Sequence, residues 1–174
     1  DPTLNANVAN NGVTALAVQA DGKLLIAGDF HSVNEVSVDY AARLDANGNL
    51  DTTFSNTVIS GYAIIHDLVI QTDGKLLLVG YFSVEGSPRG IVRLNSDGSR
   101  DTSFNPANNF NTTIALAVQA DGKIVIGGGF KVVGTNSRTN MARLLPNGSL
   151  DVNFIPPRDW SGMFTDQNYI NTMS

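Results

Sequence analysis

The chain has 174 residues, of which 42% are hydrophobic and only 16% charged, with a net charge of -5 and no cysteine. That length suffices for one cored domain or one segment of an array. The acidic balance, with no Lys/Arg cluster, argues against nucleic acid as a partner; the missing cysteine excludes disulfides and thiolate metal sites; and no apolar run reaches the roughly 18 residues of a membrane-spanning helix.

The opening residues, Asp1-Pro2-Thr3-Leu4, are a degenerate copy of Asp51-Thr52-Thr53-Phe54, which returns as Asp101-Thr102-Ser103-Phe104 and Asp151-Val152-Asn153-Phe154. Arg43, Arg93 and Arg143 keep the same 50-residue step. A fixed step of this size marks a tandem array. The units run 5–54, 55–104 and 105–154. Residues 1–4 are expected to be the outer strand of a preceding unit, and 155–174 a loop insertion followed by the start of a next one.

Within each unit two apolar runs flank an Asp-Gly turn. Ala15-Leu16-Ala17-Val18 and Leu24-Leu25-Ile26-Ala27 flank Asp21-Gly22; the counterparts turn at Asp73-Gly74 and Asp121-Gly122. Asp-Gly between β-type runs predicts a two-residue hairpin with both central residues at positive φ. Leu16 and Val18 are then expected on one face, with Ala17 and its partner Ile26 on the other. After a variable loop, Ala41-Ala42-Arg43-Leu44 turns at Asn47-Gly48 and returns through Leu50 to Phe54. Each unit is thus read as four antiparallel strands. No segment keeps a 3.6-residue apolar stripe with caps, which excludes a helical reading.

Runs that are apolar on both faces require a sheet covered on both sides. A β-sandwich buries one face of each sheet, and a linear β-solenoid usually has shorter coils. A radial stack of four-stranded sheets, a β-propeller, covers both faces. The fold class is therefore all-β: propeller blades as antiparallel meanders, three repeats of 50 residues, read as an excerpt of a longer array.

Val18-Gln-Ala-Asp-Gly-Lys-Leu-Leu-Ile-Ala-Gly-Asp-Phe30, Ala42-Arg43-Leu44 and the stretch from Asn47 to Phe54 resemble the delta-60 repeat family. The resemblance recurs three times, up to Phe154. It implies propeller-like bacterial repeats in long secreted or surface-exposed proteins, and sometimes in phage tail components. It implies no catalytic residues.

The excerpt reading also rests on phase. Ile170-Asn171-Thr172-Met173-Ser174 matches the start of a first strand, and three blades are fewer than the roughly four to eight that close a ring. The expected partners are other blades of the same array or further copies of the chain.

Four kinds of candidate chemistry stand out. Asp45-Asn47-Asn49-Asp51 places oxygens at alternate positions like a calcium loop, but Gly falls fourth rather than sixth and the twelfth position is Asn56, Pro106 or Pro156, so a hairpin turn explains it and no metal is expected. Arg43, Arg93 and Arg143 match Asp51, Asp101 and Asp151 one for one, which suits a structural ion pair in each blade better than a ring of ligand-binding arginines. His31, near Asp29, and His66, beside Asp67, belong to no readable triad or ligand cluster, and no cofactor motif is present. Aromatic residues on variable loops, Tyr40, Tyr62, Tyr81 and Trp160, with Tyr169 as a further one, are the best ligand contacts, because rings supply stacking surface for sugars or peptides.

The function expected is a non-catalytic structural or binding scaffold of an extracellular, cell-surface or virion (tail) protein, with a glycan or cell-surface ligand as the candidate partner. The alternatives are a carbohydrate-binding, lectin-like propeller and the non-catalytic part of a larger enzyme.

Overall fold

A computed structural model of the chain describes residues 6–85, 87–88, 90–106, 110 and 113–156. The expected outer strand at 1–4, Trp160, Tyr169 and the start of a next unit lie outside these residues. Every regular element among them is a strand. The first repeat holds β1 (Val8–Val18), β2 (Leu24–Val33), β3 (Val36–Ser37) and β4 (Ala41–Leu44). The second holds β5 (Ile59–Ile70), β6 (Leu76–Val84), β7 (Ser87–Pro88) and β8 (Ile91–Leu94). The third holds β9 (Thr113–Val118), β10 (Ile124–Gly128), β11 (Val132–Val133), β12 (Asn136–Ser137) and β13 (Met141–Leu144).

In each repeat the second strand is central. It pairs antiparallel with the first strand on one side and with the strand carrying the repeated arginine on the other. The outermost strand is a single bridge: Leu44 to Leu50, Leu94 to Arg100, Leu144 to Leu150. Beyond it, in the first two repeats, the chain leaves the sheet and crosses to the following one.

The turns differ from the two-residue type expected. Gln19 N–H bonds Lys23 O and Gly22 N–H bonds Gln19 O, so the loop holds three residues, 20–22. Gly22 alone takes positive φ, at 83°, and Asp21 does not. This is a type I turn followed by a left-handed glycine. The third loop residue moves the register by one: Leu16 faces Ile26 and Ala17 faces Leu25. Ile26 therefore shares a face with Leu16, and the expected pairing of Ala17 with Ile26 does not form.

Gly28 and Gly80 have a different cause. The first strands β1 and β5 bulge opposite them. A Cβ at Gly28 would lie 2.2 Å from Gly12 O, and one at Gly80 2.1 Å from Ile64 O. Only glycine lets the two backbones approach so closely.

The core lies between sheets. One apolar cluster joins Leu25, Ala27 and Phe54 of the first repeat to Leu68, Leu76 and Leu78 of the second. Another joins Leu77, Val79 and Phe104 of the second to Leu116, Ile124 and Ile126 of the third. The second sheet is thus covered on both faces. Contacts between repeats concentrate on the first strands, β1 with β5 and β5 with β9, so the sheets fan from that side. The remaining face of the first sheet has a smaller cluster around Ile26, Phe30 and Leu44. On that face Leu16 is 64% and Val18 65% exposed.

Candidate functional site

The repeated charges form a fastening at every blade. Arg43 Nε donates to Asp51 Oδ2 at 2.9 Å, and Lys23 Nζ donates to the same oxygen at 2.7 Å. Arg43 Nη2 reaches Thr53 Oγ1 at 2.9 Å, and the guanidinium lies 5.4 Å from the Phe54 ring centre. Its remaining nitrogen leaves the blade: Nη1 donates to Ser96 O of the second repeat at 2.6 Å. The second repeat copies the arrangement. Arg93 Nε bonds Asp101 at 2.7 Å, Lys75 bonds it at 2.9 Å, Phe104 lies 4.7 Å below, and Arg93 Nη1 donates to Pro146 O of the third repeat at 2.7 Å. A backbone bond runs alongside each: Ser55 N–H to Asp97 O and Asn105 N–H to Asn147 O. Arginine suits this place because its planar fork satisfies a carboxylate, a hydroxyl and a carbonyl at once. In the third repeat Arg143 holds Asp151 at 2.9 Å and stacks 4.6 Å from Phe154, while Lys123 turns to Asp121 at 2.6 Å.

These contacts set the acidity of the carboxyls. The Lys23 and Thr53 bonds, aided by Arg43, hold Asp51 well below the usual carboxylate range. Burial pushes Asp101 upward, but bonds from Ser103, Lys75 and Arg93 outweigh it and hold this group well below that range too. Asp67 goes the other way. Burial raises it, against N–H bonds from Leu116 and Leu68. Its Oδ2 accepts the Leu116 N–H at 2.9 Å and so links the second blade to the third. At the previous junction Thr14 Oγ1 bonds Ile65 O instead.

The turn carboxylates close on themselves. Asp45 accepts from Asn47 N–H, Asn49 N–H and Asn49 Nδ2, each at 2.9 Å. Asp21, Asp73 and Asp121 each take the N–H of the lysine two residues on, at 3.1–3.2 Å. Among the described residues no group of three His, Cys, Asp or Glu side chains is placed to hold a metal ion.

Tyr40 sits at φ 63°, a left-handed position held by glycine in the second repeat (Gly90) and asparagine in the third (Asn140). A tyrosine there costs about 1–2 kcal/mol, and three bonds hold it: Tyr40 N–H to Phe30 O, Gly28 N–H to Tyr40 O, and Tyr40 OH to Gly61 O of the second repeat. Beside Gly61, Tyr62 is exposed, and its ring centre lies 6.3 Å from that of Tyr81. On the other side of Tyr40 the His31 ring meets it edge-on at 5.2 Å, and His31 Nδ1 bonds Asp39 Oδ1 at 2.7 Å. Burial, then the charges of Asp39 and Asp29, raise the Tyr40 phenol above its ordinary value.

Of the four aromatic residues expected on loops as ligand contacts, Tyr40 is buried with its hydroxyl bonded to Gly61 O, Tyr62 and Tyr81 are exposed but lie on the strands β5 and β6, and Trp160 lies outside the described residues. The partner of His31 is Asp39, from the far arm of the loop, a residue the sequence did not nominate. In sequence Asp67 is only a neighbour of His66. Its signal was a departure from the repeat, since the corresponding residues are Ala15 and Ala115.

A family model described as a domain of unknown function (DUF5122) beta-propeller matches residues 19–54, 71–104 and 119–154, together more than half of the chain. Each match begins at the first hairpin turn and ends at the phenylalanine under the arginine. It takes in the whole fastening and leaves out the first strand. No curated protein matches the chain.

Proposed function

The chain belongs to the DUF5122 beta-propeller family, and from that premise we propose that it is a non-catalytic scaffold whose blades build a rigid array and whose loops meet a ligand. The observation that carries this reading is the use made of the repeated charges. Arg43 and Arg93 each spend their donors on their own blade and on a backbone carbonyl of the next one. The chemistry common to the blades is thus structural, and the side chains that differ between blades are free to bind. The narrower assignment to delta-60 repeats is supported by the strings around Asp21-Gly22-Lys23 and Asn47-Gly48.

The low charged fraction and the Asn- and Thr-rich loops support an exposed setting, on a cell surface, in a secreted protein or on a virion tail. An antibody against the chain should label intact producing cells, their medium or intact virions. Labelling that needs permeabilised cells would remove the exposed setting from the proposal. Turnover of any glycoside, ester or peptide that is lost in His31→Ala would remove the non-catalytic part.

The open face of the first blade is assigned, within the same proposal, to another blade of the array. Leu68 and Leu116, at the places corresponding to Leu16, are each covered by the preceding repeat. The contact that covers them occurs twice with the same fastening, and Ala46 O holds the place of the acceptors Ser96 O and Pro146 O.

A further inference from the structure

The two seams inside the chain are built alike, and each joins two different faces. Arg43 Nη1 donates to Ser96 O at 2.6 Å, and one residue after Phe54 the Ser55 N–H donates to Asp97 O at 2.9 Å. At the next seam Arg93 Nη1 donates to Pro146 O at 2.7 Å and the Asn105 N–H to Asn147 O at 3.0 Å. Apolar side chains fill the same seams. Leu25 and Ala27 share a cluster with Leu68 and Leu78, and Leu77 and Val79 share one with Leu116 and Ile126. A blade therefore has a donating face, which carries the arginine, and a receiving face, which carries the turn carbonyls.

Among the described residues each kind of face stands open once. On the third blade it is the donating face. Val125, Met141 and Phe154 are only half-buried, whereas Leu77, Ile91 and Phe104 at the same places of the second blade are buried. Arg143 gives both Nε and Nη2 to Asp151, and no described group takes its Nη1. Its side chain is 23% exposed, against 10% for Arg43 and 9% for Arg93. Ile155, at the place of Ser55 and Asn105, is 75% exposed. On the first blade it is the receiving face. Leu16 and Val18 are exposed there, while their counterparts Leu68, Ile70, Leu116 and Val118 pack into the seams. Apolar surface left in water at both places favours a cover.

We propose that the donating face of the third blade seats on the first blade of a second copy of this chain, and that two copies close in this way into a ring of six blades. This rests on the reading of the chain as a blade scaffold and names the partner of its open faces. Arg143 Nη1 donates to Ala46 O of the second copy, the Ile155 N–H donates to its Asn47 O, and its Leu16 and Val18 cover Val125 and Met141. A second copy is the occupant because it carries both halves of a contact that the chain already makes twice. Such a head-to-tail contact runs on as a filament unless its rotation closes. The three sheets already fan about their first strands, and six blades fall within the roughly four to eight that close a ring.

Sedimentation of the 174-residue chain tests this. It should run as one copy at about 1 μM, with the Leu16 face open, and as two copies at about 100 μM, for a Kd of about 10 μM. Leu16→Asp should weaken the association about tenfold or more. Leu16 is exposed in the single copy, so this variant should keep the parent circular dichroism. The chain has no cysteine, so the contact can be trapped by oxidation. Asn47→Cys mixed with Ile155→Cys should give a covalent pair, and neither should do so alone. The double variant should give two linked copies and nothing longer, while Asn105→Cys with Asn147→Cys should link within one chain.

A chain that stays single at about 100 μM, a pair that survives Leu16→Asp, efficient linking of Asn47→Cys to itself, or a ladder of longer products would each overturn the ring. If the chain stays single, Leu16→Cys in a chain with one further repeat upstream separates the two readings. A thiol shielded there from iodoacetamide leaves the blade scaffold standing and removes only the second copy. A thiol that still reacts shows that the face takes no blade, and the scaffold's assignment of that face falls with the ring.

Discussion

Leu16 and Leu116 hold the same place in the first and third repeats, on strands of nearly identical sequence, Ala15-Leu16-Ala17-Val18 and Ala115-Leu116-Ala117-Val118. Leu16 is 64% exposed and Leu116 3%. Local sequence cannot cause that difference. The third repeat has the second lying against it, and among the described residues the same face of the first has no such neighbour. In this fold a strand supplies the apolar side chain and the next module supplies its burial, so stability is held at junctions rather than within blades.

The largest effect should come from the buried partner in that pair. Leu116→Ala should cost about 3 kcal/mol, as large-to-small changes in a packed core do. Leu16→Ala should cost about 0.5 kcal/mol or less, as at a surface site. Urea unfolding midpoints of the two variants check this. Equal costs would break the comparison and show Leu16 covered in solution. In a chain carrying a further repeat upstream, the Leu16 cost should rise to that of Leu116; if it stays small, the open face does not seat a blade.

Next come the fastenings. Arg93→Ala removes bonds to both its own carboxylate and Pro146 O. It should cost about 2–3 kcal/mol, with Lys75 still neutralising Asp101. Arg143→Ala should cost less, because Arg143 is more exposed than Arg93. The same unfolding assay ranks them, and an equal loss would contradict the dependence on a following blade.

The two junctions should also answer differently to pH. Asp51 and Asp101 are lowered from an ordinary value of 3.8. Their stabilisation is therefore present above that value and lost as pH falls through the lowered one. Asp67 is raised from 3.8. Its contribution is full below that value and declines as pH rises through the raised one. The junction of the second and third blades should thus weaken modestly just above pH 4, and Asp67→Asn should flatten that slope. Midpoints measured from acid to neutral pH decide it; an unchanged slope would mean that the Leu116 bond does not bury the carboxyl.

A smaller effect than the fastenings is expected of Tyr40→Phe, which removes only the hydroxyl bond to Gly61 O and should cost about 1 kcal/mol. A negligible cost would mean that the tie between the first two loops is absent in solution.

What recurs in this chain was readable and what occurs once was not. The 50-residue step placed the arginines, the aspartates and the second turn of each unit, because each copy repeats the same demand. The hairpin type was misread because Asp-Gly also serves a three-residue loop when another residue, here Ala20, joins it. The register error followed from that one residue. The link from Arg43 to Ser96 is 53 positions long and ends on a carbonyl, so no side-chain pattern announces it. The bond from the Tyr40 hydroxyl to Gly61 O depends on how the first two repeats lie against each other. Sequence could nominate the ring but could not give it that partner.

The acceptor of each fastening is main-chain oxygen, and serine and proline serve it alike. No junction thus needs a matching residue on its far side. A copying slip that adds or drops one whole unit leaves an acceptor for the arginine at each seam, whatever residue carries it. An array joined this way can change length without a matched substitution at that contact.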